Sequence, residues 1–338
     1  MKESPWTKSA LLETSGGYWK TCALHTGVKL ALFSAIGGGK ADADSLAKRI
    51  GGNVHGVETL LNALCAMELL AKENGLYVNT EFSRKYLVKD SPEYTGFIIL
   101  HHHHLMDSWN RMSESVLSGE PCRRRPATLS ETERESFLMG MFNLAMELAP
   151  HFAREIDLSG RRRFLDFGGG PGTYAIHFCM ENPGMTATVF DLPGTRVFAE
   201  RTIARFGQSD RIDFKEGSYT DDTVDLEKEY DVAWISHNLH GEGPEDAEKI
   251  VAHAVSVLKP GGLLFIHEFI LNDDKAGPLF PALFSINMLL GTPNGRAYSE
   301  RELKDILGKN GLVDVKRLDV KAAVTTGIVC GQMVATEF

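Results

Sequence analysis

The sequence predicts an α/β fold behind a helical N-terminal domain, and three observations carry that prediction. Hydrophobic spacing is helical up to about residue 118, then changes after Arg163 to short apolar runs separated by helical stretches. Strand and helix in alternation imply a parallel sheet with helices on both faces. The last two runs, LVDVKRLDV and AVTTGIVCGQMVAT, have no room for a helix between them, so an antiparallel hairpin is expected at the sheet edge. With 338 residues, 43% of them hydrophobic, the chain can fill two domains.

Leu30, Ala31, Leu32, Phe33 and Ile36 form an apolar helical cluster that stops at Gly37-Gly38-Gly39. A second helix is predicted from Asp44, as its N-cap, through Leu46, Ala47 and Ile50 to Gly51. The third, Val57 to Leu70, places Leu60, Leu61, Leu64, Met67 and Leu70 at helical spacing. A short strand, a turn at Asn74-Gly75 and a second strand from Leu76 to Val78 follow. Three helices and a hairpin give a winged-helix outline. Residues 1–118 hold 12 Lys/Arg and 12 Asp/Glu, a net charge of zero, whereas a DNA reader carries a basic face. The domain is therefore read as packing and dimer surface.

Residues 119–160 read as a connector, opening with GEPCRRRP and continuing as a helix from Glu131 to Ile156. The Arg123 to Arg125 run reads as a solvated loop rather than a site for an anionic ligand. The catalytic domain is expected over 161–338, with strands in RFLDFG, TATVFD, RIDFKEG, DVAWIS and GLLFIHEFIL. A last helix, Ser299 to Lys309, begins with the capping-box pattern Ser299-x-x-Glu302.

Bulk properties narrow the function classes. A net charge of -9 speaks against nucleic-acid and membrane-surface partners. Five cysteines (Cys22, Cys65, Cys122, Cys179, Cys330) show no CxxC and no pairing pattern, as in a reduced cytoplasmic protein. No apolar signal core opens the chain, and no stretch approaches the roughly 20 apolar residues of a membrane span.

In FLDFGGGPGTYAIHF a strand meets a glycine turn and a helix start. Gly168, Gly170 and Gly172 let a ligand approach the backbone closely. Asp191 closes the next strand 21 residues after Gly170, where a carboxylate can take both ribose hydroxyls. Asp166 lies just before the glycines, near where a ligand's cationic end would sit. The third glycine of a GxGxxG loop would fall at Thr173, so a pyrophosphate is poorly matched. An adenosyl ligand with a positive charge and no phosphate fits better.

Together with LALFSAI, LLNALCAMELLAKENGLYVNT, FDLPG and NMLLGTPNGRAYSERELKDIL, these motifs make the chain resemble class I S-adenosyl-L-methionine-dependent O-methyltransferases. The similar enzymes are those of the plant caffeic acid and flavonoid type and the bacterial polyketide-tailoring type. The resemblance implies a Rossmann-like seven-stranded sheet and an N-terminal dimerisation domain, hence a homodimer acting on a small aromatic or polyketide-like hydroxyl. It also implies that Gly168 and Gly170 cradle the amino-acid part of the cofactor and that Asp191 holds the ribose. Ser218 and Tyr219 stand where the family has an Asp-Met pair beside adenine, and Ser236 stands where it has a lysine.

The stretch YDVAWISHNLHGEGPED ends a strand in two histidines, His237 and His240. By resemblance the general base lies nine residues after Asp231, at His240, while His237 meets the cofactor or caps the strand. A phenol titrates near 10 and is a poor nucleophile at pH 7 until a base takes its proton, a task suited to a neutral imidazole. Glu268 falls at the family's first imidazole-orienting glutamate; the second falls on Ala297. A metal is not expected, because no Cys or carboxylate sits beside the two histidines at ligand spacing in sequence. His101 to His104 place only His101 and His104 on one helix face. The resemblance sets His104 beside the acceptor pocket, with Met141 and Asn287 on facing walls. Two rivals remain at this point: methyl transfer to carbon, nitrogen or sulfur, and a non-catalytic cofactor-binding regulator.

Overall fold

The computed structural model describes residues 6–123, 130–320 and 326–334. Two compact units divide between His104 and Leu105. The first holds helices α1 (Lys8–Gly16), α2 (Tyr18–Lys29), α3 (Leu32–Ile36), α4 (Ala43–Ile50) and α5 (Val54–Ala66). An antiparallel hairpin of β1 (Leu70–Glu73) and β2 (Leu76–Asn79) follows, then α6 (Glu81–Tyr86) and α7 (Gly96–Asn110), which runs across the division.

Two boundaries differ from expectation. Asp42 rather than Asp44 caps α4, accepting from Ser45 N at 2.7 Å, while Asp44 lies in the first turn and pairs with Lys48. An earlier cap, Asn53, starts α5 at Val54, so the helix is complete by Ala66 and Leu70 opens β1. Leu32, Phe33, Leu46, Leu61, Leu64 and Tyr77 form the sealed centre of this unit, each contributing about 1.5–3 kcal/mol by leaving water. His25 is buried beside them with Nδ1 unpartnered. Burial, with the charges of His103 and His102, lowers its pKa to about 4. Leu11, Leu12, Tyr18 and Trp19 on α1 and α2 face outward.

The second unit adds α8 (Met112–Ser118) and the long α9 (Glu131–Glu155), opened by a capping box between Ser130 and Glu133. Its sheet is built from β3 (Arg163–Phe167), β4 (Thr186–Asp191), β5 (Ile212–Glu216), β6 (Tyr230–Ser236) and β7 (Leu258–Glu268). α10 (Thr173–Glu181), α11 (Arg196–Arg205) and α12 (Pro244–Ser256) connect them. A two-residue strand β8 (Ile270–Leu271) pairs with β9 (Tyr298–Ser299) around α13 (Leu279–Gly291). Then come α14 (Glu300–Lys309), β10 (Leu312–Arg317) and β11 (Gly327–Met333).

The seven strands lie in the order β10-β11-β7-β6-β3-β4-β5. β3 to β7 run parallel, and β11 is antiparallel to both β7 and β10. The expected edge hairpin is present, as is the Ser299–Glu302 capping box of α14. Residues 323–325 and 335–336 of the expected last strand lie outside the described residues, as do Arg124 and Arg125. α13 and the β8–β9 pair were not foreseen.

The chain leaves β3 toward β4 and β5, then returns to β6 on the other side of β3. Such a reversal opens a crevice at the carboxyl ends of the two central strands. The glycine loop and the His237–His240 segment both emerge there. Among the described residues no helix is long and apolar enough to cross a membrane.

Candidate active site

Gly168, Gly170 and Gly172 all adopt left-handed backbone, with φ of 73°, 53° and 77°, a region that costs an L side chain roughly 1–2 kcal/mol. A Cβ at Gly168 would meet Asn238 Nδ2 at 2.3 Å. At Gly170 it would meet nothing within 4 Å, so the loop turns its open side outward at that residue. Asn238 donates to the carbonyls of Phe167 (2.8 Å) and Gly168 (3.1 Å), tying the loop to the segment that carries the two histidines.

Asp166 is 1% exposed; Oδ2 accepts from Ala175 N in the first turn of α10, and Oδ1 has no partner. Burial, reinforced by the charge of Asp191, raises its pKa to about 7. At the end of β4, Asp191 accepts from Gly170 N at 2.8 Å, Leu192 N at 2.7 Å and Thr195 Oγ1 at 3.0 Å, while burial pushes its pKa up. Two carboxylates therefore flank the start of α10, the place where a dinucleotide fold receives phosphate. An anion is disfavoured there. A cationic amino-acid ligand answers the unpartnered Asp166 oxygen, and the open glycine backbone admits it, so these residues fit S-adenosylmethionine.

Ser218 is bound to Thr220 Oγ1 at 2.7 Å, and the Tyr219 ring packs against Phe167 with centroids 6.2 Å apart. Ser236 Oγ lies 2.8 Å from His267 Nδ1, directed into the sheet's interior. His267, fully buried, also receives Thr326 Oγ1 at 2.6 Å from Nε2. Thr326 donates its one proton to Glu268 O, so it accepts from Nε2–H. His267 Nδ1 is then the acceptor for Ser236. Burial holds this imidazole far below its usual pKa. The sequence signal for this network was a polar side chain at an inward position of a central strand.

A short turn, Leu239–Gly241, presents His240. Its Nδ1 lies 2.8 Å from Glu268 Oε2, and its backbone N–H reaches Oε1 at 3.3 Å. An ionised carboxylate only accepts, so Nδ1 carries the proton and Nε2 keeps its lone pair. Glu268 is 1% exposed. Burial alone would raise its pKa, but His240 and His237 hold it well below the carboxylate range. His237 has a left-handed φ of 56°, with Nδ1 3.5 Å from the same oxygen. It packs on Phe269 (4.2 Å) and His267 (4.4 Å), and burial lowers its pKa. Phe284 of α13 meets the His240 ring edge-on at 4.7 Å.

The fold thus brings a carboxylate to the two histidines, which sequence spacing had not shown: ligand atoms of His237, His240 and Glu268 all lie within 4.8 Å. Donors sharing one zinc ion would stand roughly 3.3 Å apart, given bonds of about 2.0–2.1 Å. The 2.8 Å separation of His240 and Glu268 is instead that of a charge-assisted hydrogen bond. Met141 is half-buried on α9, Asn287 lies on α13, and His104 lies on α7 beside the His103 ring. Phe269, Phe284 and Asn238 were missed by sequence reading. Arg123, expected in a solvated loop, is half-buried and bonded to α13.

A sheet of this order, with a glycine loop and two acids at its crevice, defines a class I methyltransferase. Residues 125–313 match the O-methyltransferase domain and residues 12–89 the O-methyltransferase dimerisation domain. A 3-hydroxy-5-methyl-1-naphthoate 3-O-methyltransferase of Streptomyces sahachiroi is 34% identical, over 95% of this chain and 94% of that one. The acetylserotonin O-methyltransferase of Gallus gallus is 28% identical, over 90% and 92%. Human N-acetylserotonin methyltransferase in complex with SAM superposes with a TM-score of 0.85 at 25% identity, covering 99% of this chain and 100% of that chain. An O-methyltransferase family protein from Burkholderia thailandensis gives 0.87 at 26%, with the same coverage. The chain belongs to the O-methyltransferase family. It is an S-adenosylmethionine-dependent enzyme that methylates oxygen, and it forms a homodimer.

Proposed function

We propose that this enzyme methylates a hydroxyl of an aromatic, polyketide-type acid in the cytoplasm, with His240 as general base. The observation that carries the base is the 2.8 Å pair of His240 Nδ1 and Glu268 Oε2, which fixes the tautomer and leaves Nε2 to accept a proton. The relative acting on a hydroxynaphthoate supports the acceptor class, and the five free cysteines support the compartment.

When bound, the cofactor supplies a methyl group on a positively charged sulfur. Asp166 and the glycine loop at Gly168 and Gly170, open at Gly170, hold its amino-acid end. Asp191 takes the ribose, and Ser218 and Tyr219 lie toward the adenine, with Ser236 and His237 at the strand end. On the acceptor side, Phe269 and Phe284 give an aromatic wall beside His240, with Met141 and Asn287 further out. His240 Nε2 takes the hydroxyl proton as the oxygen becomes nucleophilic. Glu268 keeps the ring aimed and stabilises the imidazolium that forms. Holding the acceptor oxygen in line supplies much of the remaining acceleration.

Incubation of the protein with S-adenosylmethionine and a hydroxynaphthoic acid is expected to add one methyl by mass spectrometry. His240→Gln is expected to cut turnover by about 10²–10⁴ while calorimetry shows unchanged cofactor affinity. Near-wild-type turnover in that variant rejects the base.

A further inference from the structure

We infer that Arg123 is a specificity residue that binds a carboxylate on the acceptor, deepening the function proposed above and resting on it. Arg123 is half-buried where the chain leaves α8. Its Nε donates to Ser108 Oγ at 3.2 Å, and its Nη2 to Asn287 Oδ1 at 2.5 Å and Asn287 O at 3.2 Å. The backbone is pinned as well, Arg123 N donating to Leu290 O at 2.9 Å.

All of these partners are neutral. Among the described residues no carboxylate pairs with this guanidinium, and Nη1 has no acceptor. Of the acids that precede it in sequence, Glu120 is exposed and makes no ion pair with Arg123, and Asp107 and Glu114 pair with Arg111. α13 carries no charged residue over its 13 positions. Burial lowers the Arg123 pKa, yet a guanidinium stays charged. A half-buried positive charge held only by neutral groups is the arrangement that receives a planar anion.

Its position relative to the base follows from α13. Phe284, which meets His240, Asn287 and Gly291 lie within about 60° of one another around the helix, at 100° per residue. They fall roughly 5–10 Å apart along its axis, at 1.5 Å per residue. The guanidinium lies against Gly291, where a Cβ would come within 2.7 Å of Nη1. One uncharged helix face therefore has the base at one end and the cation at the other, a span suited to a bicyclic aromatic acid. The hydroxyl of such an acid goes to His240 and its carboxylate to Arg123.

The test compares a hydroxynaphthoic acid with the naphthol lacking its carboxylate. Wild type is expected to prefer the acid. Arg123→Gln is expected to raise KM for the acid 10- to 100-fold and to leave the naphthol within about threefold, whereas Arg123→Lys recovers part of the loss. Gly291→Ala, which displaces the guanidinium without removing it, shifts the acid's KM in the same direction by less. Calorimetry of the acid against protein loaded with S-adenosylhomocysteine reads the same site without turnover, and loss of binding in Arg123→Gln supports the inference. Equal losses for acid and naphthol overturn it, since a strap joining the chain to α13 acts on both. Binding of the acid indifferent to Arg123, or absent in the wild type, also overturns it. Turnover of the naphthol with no Arg123-dependent preference for the acid sinks this inference alone, while no turnover of either phenol sinks the O-methylation of aromatic acids.

Discussion

The two ends of the catalytic crevice are built in different ways. At the proposed cofactor end, Asp166, Gly168, Gly170 and Gly172 come from one strand and its turn, and Asp191 closes the next strand in chain order. At the proposed acceptor end, Ser108, Arg123, His240, Glu268, Phe284 and Asn287 come from five segments spread over 180 residues. The first end is local in sequence and specified mainly by backbone conformation. The second is non-local and specified by side chains. A change at the cofactor end should act through affinity, and one at the acceptor end through turnover or acceptor choice.

The largest expected effect tests that division at the backbone. Gly168→Ala introduces a Cβ 2.3 Å from Asn238 Nδ2 at a φ of 73°. Cofactor affinity should fall at least about 100-fold, from backbone strain together with the displaced amide. An unchanged dissociation constant in calorimetry would show that the loop geometry does not govern binding. Next, Glu268→Gln keeps the shape but removes the charge between His240 and His237. Turnover should fall about 10²-fold with cofactor affinity nearly constant, in proportion to the imidazolium stabilisation lost. A matching loss of cofactor affinity would break the separation of the two ends.

A smaller effect comes from pH. The Asp166 carboxyl, with pKa raised to about 7, holds a proton in the cofactor-free fold that the unfolded chain has released above about 4. Its contribution therefore makes the free protein less stable as pH rises from about 4 through 7, and level beyond. A cationic ligand binds the ionised form, so affinity for S-adenosylmethionine should weaken as pH falls below about 7. Asp166→Asn should flatten both profiles, in thermal melts and in titrations at pH 6 and 8. Profiles that keep their slope in the variant would assign the linkage to another group. The smallest effect is expected at Ser218, whose hydroxyl is satisfied by Thr220. Ser218→Ala should change cofactor affinity by less than about threefold, and a larger loss would give it a direct role at the adenine.

The same contrast explains what the sequence made legible. Strand, glycine turn and helix start are contiguous, so FLDFGGGPG and the aspartate at 191 pointed to the proposed cofactor end, and the last two apolar runs to the sheet's edge hairpin. His240 and Glu268 were reached through family resemblance, because 28 residues of chain separate them and nothing in their spacing shows that they touch. Arg123 was misplaced for a related reason: RRR reads as solvated until α13, itself unforeseen, supplies Asn287 and Gly291 to seat it. The helix caps went astray by a residue or more where two candidates compete, as at Asp42 and Asp44.

Asn238 carries a consequence for descent. Its amide satisfies two carbonyls of the glycine loop and occupies the space a side chain at 168 would need. A lineage that replaced Gly168 first would meet a clash, and one that replaced Asn238 first would leave buried carbonyls unpaired. Each single step is harmful whichever comes first, so the two positions are locked together by epistasis. The segment carrying His240 and the glycine loop are then inherited as one piece, leaving α13 and Arg123 as the ground on which the proposed acceptor preference can diverge.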